Sequence, residues 1–179
     1  MKEMDDRQLA QECLKGSKNA FEQLVEKYHK VIFNLAYRMT GQSDDAEDIT
    51  QTVFIKTYDK LESYDPTYQF YSWLYRIAVN ESLNFLKARR KYKDLDPDML
   101  TGEKNPEECC LDNELGSRIQ AAIMELEPRY RILILLNHFR SCSYNEIAQT
   151  LDIPEKTVKS RLYTARQLLK DIFIKKDSI

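Results

Sequence analysis

The chain has 179 residues, of which 42% are hydrophobic and 31% are charged, enough for one or two small globular domains. No apolar run approaches the length of a membrane-spanning helix, and the acidic N-terminus lacks the apolar centre of a signal peptide. We therefore expect a cytoplasmic protein without membrane insertion. The four cysteines and two histidines show no zinc-type spacing, and no phosphate-binding loop is present. The sequence thus predicts neither a metal site, nor another cofactor, nor an enzyme.

The nearly neutral total charge hides three unlike blocks. Residues 1–91 carry a net charge of zero, residues 92–114 of minus six and residues 115–179 of plus four. An acidic middle segment therefore separates a neutral block from a basic one. The net charge is therefore informative only when it is divided along the chain.

The first block is helical throughout. A short helix ends at Gly16, and Ser17 is predicted to cap a long amphipathic helix that stops at Gly41. Ser43 is predicted to cap a third helix, in which Ala46, Ile49 and Val53 face inward. The outer face of that helix is a mixed one, formed by Asp45, Asp48, Gln51, Thr52, Ile55, Lys56 and Asp59. Mixed faces are usually only solvated, and periodicity alone gives this one no function.

Residues 64–91 form the most distinctive stretch. An Asp-Pro turn leads into a helix whose core stripe is Phe70, Trp73, Leu74, Ile77 and Ala78. Off that stripe lie flat rings and amides, and the helix ends in basic residues: Tyr68, Tyr71, Tyr75, Arg76, Asn80, Asn84, Lys87, Arg89, Arg90 and Lys91. Rings can stack on bases, amides can read base edges and a basic end can hold phosphates. Taken alone, the stretch still favours a core helix with a solvated basic end.

Residues 92–113 break every period and contain two prolines, a glycine and an acidic excess. This composition predicts a flexible linker. It is either a plain tether or a segment that lies in a positively charged groove where nucleic acid would otherwise bind. The adjacent Cys109 and Cys110 fall in it, and reduced thiols are expected there, although a redox-sensitive pair is an alternative.

The third block contains a helix-turn-helix pattern. Ser143 and Glu146 form a capping box before a short helix, and a turn through Pro154 leads into a longer one. On the longer helix Lys156, Lys159, Tyr163, Arg166 and Lys170 recur opposite the apolar stripe. An amphipathic hairpin with a solvated lysine face is the alternative, but the positive charge favours DNA. The residues nearest to base edges and phosphates would be Lys156, Thr157, Lys159, Ser160 and Tyr163, with Arg161 and Arg166 further along the backbone.

Three stretches, in this order, resemble the extracytoplasmic-function (ECF) sigma factors of bacterial RNA polymerase. They are DAEDITQTVFIKTYDKL at 45–61, FYSWLYRIAVNESLNFLKARR at 70–90 and SYNEIAQTLDIPEKTVKSRLYTAR at 143–166. The resemblance implies an all-α fold of two small helical domains. These would be a sigma region 2-like domain at 1–91 and a region 4-like helix-turn-helix domain at 114–179, joined by the flexible acidic linker at 92–113.

The resemblance also implies a function and a set of partners. The chain would bind core RNA polymerase through the β′ clamp helices and the β flap, recognise promoter DNA and promote transcription initiation. An anti-sigma factor is a further implied partner. The implied polymerase-binding residues are Asp45, Asp48, Gln51, Thr52, Ile55 and Lys56. The residues implied for the minus-ten element are Tyr64, Tyr68, Tyr71, Arg76, Asn80, Asn84, Arg89 and Arg90. Those implied for the minus-thirty-five element are Lys156, Thr157, Lys159, Ser160, Arg161, Tyr163 and Arg166.

Some positions depart from the usual family pattern. Lys159 and Thr164 stand where arginines are frequent, so base preference does not transfer, and Tyr68 replaces a smaller residue in the base-capturing loop. Two rival functions remain at this point. One is an ordinary helix-turn-helix regulator that binds duplex DNA alone, and the other is a helical adaptor that binds only protein.

Overall fold

A computed structural model describes residues 4–95 and 114–177 of the chain. Most of the predicted linker, with Cys109 and Cys110, lies outside these residues. Within them all regular structure is helical, without a strand, as the all-α prediction requires. The α-helices are α1 (Asp6–Leu14), α2 (Lys18–Thr40), α3 (Ser43–Asp59), α4 (Phe70–Leu95), α5 (Glu114–Glu125), α6 (Pro128–Ile134), α7 (Tyr144–Leu151) and α8 (Glu155–Asp177). A 3-10 turn (Leu61–Ser63) follows α3, and a π-helical turn (Leu135–Phe139) follows α6.

The helix ends follow local chemistry. The Ser17 hydroxyl accepts from the amide of Ala20, and the Ser143–Glu146 capping box forms in full, which confirms both predicted caps. Gly41 ends α2 with φ +74°, a left-handed conformation that favours glycine.

The start of α3 and the end of α4 differ from prediction. Ser43 was the wrong cap, because Gln42 takes the N-cap position and Ser43 already lies in the helix. The reason is local: Gln42 is held by the Thr40 hydroxyl, which accepts from its amide and donates to its carbonyl. At the other end, α4 continues to Leu95, past the start predicted for the linker at residue 92.

We call residues 4–95 the front half. Its centre is α2, which packs against α1, α3 and α4. The buried side chains of α2 include Leu24, Ile32, Leu35 and Met39, and α4 contributes Phe70, Leu74 and Val79 to the same core. The helices therefore leave one face of α3 and one face of α4 toward solvent.

We call residues 114–177 the rear half. In it α6 packs against α8, and α7 packs against α8 as the helix-turn-helix pattern predicts. Ile147, Val158, Leu162 and Ala165 are fully buried between the helices, so the inward stripe of α8 is confirmed. Asp152 ends α7 with φ +52°, a left-handed conformation that aspartate tolerates better than most residues.

The two halves are not separate bodies in this structure, since one hydrophobic core runs through both. The buried guanidinium of Arg131 on α6 donates to the carbonyl of Met39 at the end of α2. It also donates to the carbonyls of Met124 (2.7 Å) and Leu126 (2.9 Å) at the end of α5. One side chain thus binds the C-terminal carbonyls of a helix in each half, where the helix dipole favours positive charge.

Candidate nucleic-acid and protein interfaces

The outer face of α3 is open and combines an apolar centre with a polar surround. Ile55 is 63% exposed and Tyr58 is 54% exposed, and they lie three residues apart on the same helix. Asp48 and Gln51 are exposed beside them, whereas Thr52 and Lys56 are half-buried. An exposed apolar patch rimmed by polar groups is typical of a protein-binding surface.

Two of the α3 residues are directed toward α4. The Lys56 ammonium lies 2.7 Å from the Glu81 carboxylate, and Arg89 Nη1 lies 2.5 Å from Asp45 Oδ2. Burial raises the pKa of Asp45, and the nearby Arg89 only partly offsets that effect. The Asp45–Arg89 pair therefore joins a residue predicted to bind polymerase to one predicted to bind DNA. The Asp45 carboxylate is thus directed toward Arg89 on α4.

The loop between the 3-10 turn and α4 contains two tyrosines, of which one is buried and the other is exposed. Tyr64 is buried against Phe70 and Trp73, and its hydroxyl donates to the carbonyl of Tyr68 at 2.8 Å. Tyr68 instead presents its ring to solvent, with 62% exposed. The buried Tyr64 therefore shapes the loop, and only Tyr68 offers a surface on which a base could stack.

Asp65 fixes the turn before Tyr68. Its carboxylate accepts from the amide of Thr67 at 2.9 Å and from the hydroxyl of Thr67 at 2.8 Å. These two hydrogen bonds lower the pKa of Asp65, so the group stays ionised at neutral pH. The loop is thus held by its own side chains before any ligand binds.

Along α4 the predicted strand-binding residues divide into an open and a covered set. Arg76, Asn80 and Asn84 are exposed at four-residue spacing, hence on one face, and Arg90 is exposed near the basic end. Tyr71 and Tyr75 lie on a neighbouring face and are covered by Arg140 from the rear half. The guanidinium of Arg140 lies 4.9 Å and 5.0 Å from the two ring centroids. Burial raises the pKa of Tyr71 and of Tyr75.

The exposed face of α8 carries most of the predicted duplex-binding residues. Lys156, Lys159, Ser160 and Arg166 are exposed, and Tyr163 is 66% exposed. Thr157 and Arg161 are half-buried at the edge of this face. A basic helix that starts just after a tight turn and shows its N-terminal part to solvent is typical of major-groove recognition.

Intrachain contacts already position two of the α8 cations. Lys159 lies 2.7 Å from the Glu155 carboxylate, which raises the pKa of the lysine. Arg166 Nη2 donates to Asn137 Oδ1 at 2.8 Å. Asn137 belongs to the π-helical turn, so this irregular turn anchors the middle of α8.

Sequence reasoning missed Arg131, Arg140 and Asn137. Each acts through a contact with a distant part of the chain, and none belongs to a periodic stripe or a motif. The dense apolar run RILILLNHF at 131–139, which contains Arg131 and Asn137 and precedes Arg140, indicates only that this segment is buried.

Neither a metal centre nor a membrane span emerges from the described residues. No group of three or more histidine, cysteine, aspartate and glutamate side chains among them could hold a metal ion. In the same part of the chain, no helix is both long and apolar enough to cross a membrane.

Comparisons with known proteins agree with this architecture. Residues 24–92 match the Sigma-70 region 2 family, and residues 117–169 match the Sigma-70 region 4 family. The chain is 33% identical to the ECF sigma factor SigW of Bacillus subtilis, with 94% of this chain and 96% of SigW covered. It is 35% identical to the ECF sigma-E factor of Escherichia coli K12, with 93% of each chain covered.

Solved structures show the same fold. The sigma factor RpoE of Bartonella quintana, in complex with the anti-sigma factor NepR, is similar with a TM-score of 0.69 and 24% identity, over 86% of this chain and 96% of that one. CnrH in complex with the cytosolic domain of CnrY gives a TM-score of 0.70 at 24% identity, over 94% of this chain and 96% of that one. With both regions matched in order and relatives covered nearly end to end, the chain belongs to the ECF sigma factors of the sigma-70 family, which direct bacterial RNA polymerase to promoters.

Proposed function

We propose that this sigma factor divides promoter recognition between its halves. The outer face of α3, around Asp48, Gln51 and Ile55, docks on the β′ clamp helices of core polymerase. Tyr68 and the stripe formed by Arg76, Asn80 and Asn84 hold the separated strand of the minus-ten element. The basic face of α8 binds the minus-thirty-five duplex, and the rear half contacts the β flap.

The observation that carries this proposal is the exposed Arg76–Asn80–Asn84 stripe on α4, together with the exposed ring of Tyr68 in the loop before that helix. A cation can hold a phosphate, amides can bind base edges and a ring can stack on a base. A separated strand offers a target for each of these contacts, since its phosphates, base edges and base faces are all accessible. A helix-turn-helix regulator that binds only duplex DNA has no use for such a stripe.

The free energy of strand separation explains why a polymerase is needed. Opening about ten base-pair steps at about 1.4 kcal/mol each costs on the order of 14 kcal/mol. Two or three stacked bases recover roughly 1–3 kcal/mol each, which leaves most of that cost uncovered. The free chain should therefore not open a promoter duplex by itself. Core polymerase supplies the remaining contacts and all of the catalysis, so the sigma factor itself is not an enzyme. We also propose that it acts in the cytoplasm.

An anti-sigma factor is a further proposed partner. The RpoE of Bartonella quintana was solved with the anti-sigma factor NepR. The open α3 face of this chain, with its exposed Ile55 and Tyr58, offers a comparable regulator an apolar surface. A regulator bound there would compete directly with core polymerase.

Charge reversal at Asp48 tests the polymerase surface. Asp48→Lys should abolish co-purification with core polymerase, because a cation replaces a carboxylate in the polar surround of the docking face, while circular dichroism stays unchanged. Glu22→Lys, the same change on an exposed position of α2, is the matched control and should bind core normally. Undiminished binding of the Asp48 variant would count against this surface.

Asn80→Ala tests the strand surface. It should lower promoter opening, measured by permanganate reactivity of unpaired thymines, more than it lowers recruitment, measured by a gel shift of holoenzyme on duplex promoter. The reason is that the amide meets a base edge only after the strands separate. Equal losses in both measurements would assign Asn80 a structural role instead.

A further inference from the structure

The first helix lies beside the loop that carries Tyr68. We call residues 64–69, between the 3-10 turn and α4, the minus-ten loop. Helix α1 packs on α2 through buried Leu9, Ala10 and Cys13, and it also contacts the 3-10 turn that leads into this loop. The match to the Sigma-70 region 2 family begins at residue 24, so α1 reaches the loop from outside the matched region.

The start of α1 is held both by its own cap and by α2. Asp5 caps the helix in a complete capping box with Gln8. The Asp6 carboxylate accepts hydrogen bonds from the Lys27 ammonium and from the Tyr28 hydroxyl, both on α2. Since the Tyr28 ring is buried, this contact joins the first turn of α1 to the core of the front half. The backbone of the next residue is therefore fixed in position.

That residue is Arg7, whose guanidinium is hydrogen-bonded to the hydroxyl of Tyr64. The same hydroxyl donates to the carbonyl of Tyr68 at 2.8 Å. Burial raises the pKa of Tyr64, and Arg7 only partly offsets that effect, so the hydroxyl keeps the proton that it donates. A phenol oxygen can accept one hydrogen bond while it donates another, and a charged donor strengthens the bond that follows. A chain of hydrogen bonds thus runs from α1 to the exposed end of the minus-ten loop.

The two tyrosines of the loop have the mobility that such a chain requires. Tyr64 is fixed by its ring, which lies 5.3 Å from that of Phe70 and 5.5 Å from that of Trp73 between centroids. Tyr68 is 62% exposed, so its ring is placed chiefly by its own backbone. An exposed side chain loses conformational freedom when it stacks on a base, and a backbone held in advance reduces that loss.

We propose that Arg7 is a positioning residue for minus-ten recognition: through the Tyr64 hydroxyl it holds the backbone of Tyr68 so that the Tyr68 ring meets a base of the separated strand. This inference rests on the proposed role of Tyr68 in strand binding. Arg7 acts without touching the DNA, and its effect passes entirely through the loop.

Three variants of the full-length chain test the inference. Arg7→Ala removes the first hydrogen bond, Tyr64→Phe removes the hydroxyl but keeps the packed ring, and Tyr68→Ala removes the stacking ring. Lys15→Ala is the matched control for charge, because Lys15 lies exposed at the other end of α1 and pairs with Glu12 of the same helix. Tyr64→Phe changes no charge, so a loss that it shares with Arg7→Ala cannot come from long-range electrostatics.

The probe is a fluorescein-labelled oligonucleotide of the non-template strand that carries a minus-ten element selected by the holoenzyme. Each variant is assembled with core polymerase and titrated against it. Anisotropy should show about fivefold weaker binding for Arg7→Ala and for Tyr64→Phe, the scale of one exposed charged contact. The two changes combined should lose no more than either alone, because they break the same chain of hydrogen bonds.

A second comparison separates positioning from support of the fold. In the Tyr68→Ala background, Arg7→Ala should have no further effect on strand affinity, since the ring that it positions is gone. Recruitment of the holoenzyme to duplex promoter, measured by gel shift, and circular dichroism should stay at wild-type values for Arg7→Ala. Lys15→Ala should match the wild type in every measurement.

Three results would overturn the inference. One is wild-type strand affinity of Arg7→Ala, and another is a loss that persists in the Tyr68→Ala background, which would make Arg7 a direct DNA ligand. The third is a parallel loss of recruitment and helicity, which would make α1 only a support for the fold. If Tyr68→Ala still weakens strand binding, each of these leaves the proposed function standing. Wild-type strand affinity of Tyr68→Ala would instead refute the base stacking on which both depend.

Discussion

Replacement of Arg131 should weaken the packing of the two halves against each other. It is 5% exposed, and its guanidinium donates to three backbone carbonyls at two helix ends, without a carboxylate among these partners. Burial lowers its pKa to about 10, so it stays protonated at neutral pH. We consider Arg131→Met, which keeps the length of the side chain and removes the charge and all donors.

The expected loss follows from two opposing free energies. Each hydrogen bond from a charged donor contributes about 1.5–3 kcal/mol, so the three together contribute about 4.5–9 kcal/mol. Burying the guanidinium costs several kcal/mol, and methionine avoids that cost. The difference is a loss of about 2–4 kcal/mol, since the carbonyls of Met39, Met124 and Leu126 are left without this donor.

Urea unfolding followed by two probes measures this loss. Trp73, the single tryptophan, reports on the front half, whereas circular dichroism reports on all helices. In the wild-type chain both curves should coincide because the halves share one core. In Arg131→Met the circular dichroism midpoint should fall by about 1–2 M, at a slope of about 2 kcal/mol per M, and should precede the Trp73 transition.

Arg129→Met, two residues earlier on the same helix, provides the control. Arg129 is exposed, so its replacement should change the free energy of unfolding by less than about 0.5 kcal/mol. If Arg131→Met behaves like this control, or if its two transitions still coincide, then Arg131 does not couple the halves.

Two further predictions concern local backbone and capping. Gly41→Ala should lower the free energy of unfolding by about 1–2 kcal/mol because of its left-handed φ, and by a further amount because the new Cβ meets Met124. Adding Met124→Ala should recover only the part that is due to this contact. Full recovery in thermal melts would refute the argument from backbone conformation. Ser143→Ala should destabilise the helix-turn-helix by about 1 kcal/mol, measured by hydrogen exchange of α7 amides, with no effect expected on α1. The Ser143 hydrogen bonds lower the pKa of Glu146, so the stability that they provide is complete above the unfolded pKa of glutamate and is lost as pH falls through the lowered value. Glu146→Gln should therefore be less stable than wild type at neutral pH and equal to it in acid; a gap that persists in acid would contradict the assignment.

Local chemistry made much of the fold predictable from sequence. Ser17, Ser143 and Gly41 act at helix ends through atoms a few residues away, so their roles follow from residue type and spacing. The inward stripe of α8 follows in the same way from a 3.6-residue period. Trp73 packs against Tyr64 and Phe70, as its place in the core stripe predicts.

The roles that sequence could not reveal depend on tertiary contacts. Tyr64 and Tyr68 share one loop and one residue type, yet only the packing against Phe70 and Trp73 makes Tyr64 buried and Tyr68 exposed. Asp45 and Arg89 lie 44 residues apart, and Arg140 and Tyr71 lie 69 residues apart. No periodicity links residues so far apart in the sequence. Contacts between distant residues are therefore visible only in the structure.

Run-off transcription with bacterial core polymerase over a promoter library is the most direct test of the sigma-factor assignment. We expect RNA that starts at a defined position on a subset of templates, with both promoter elements required and with no comparable binding of those templates by the chain alone. No start-site-selective RNA from any template, together with tight binding of a palindromic duplex by the free chain, would contradict it.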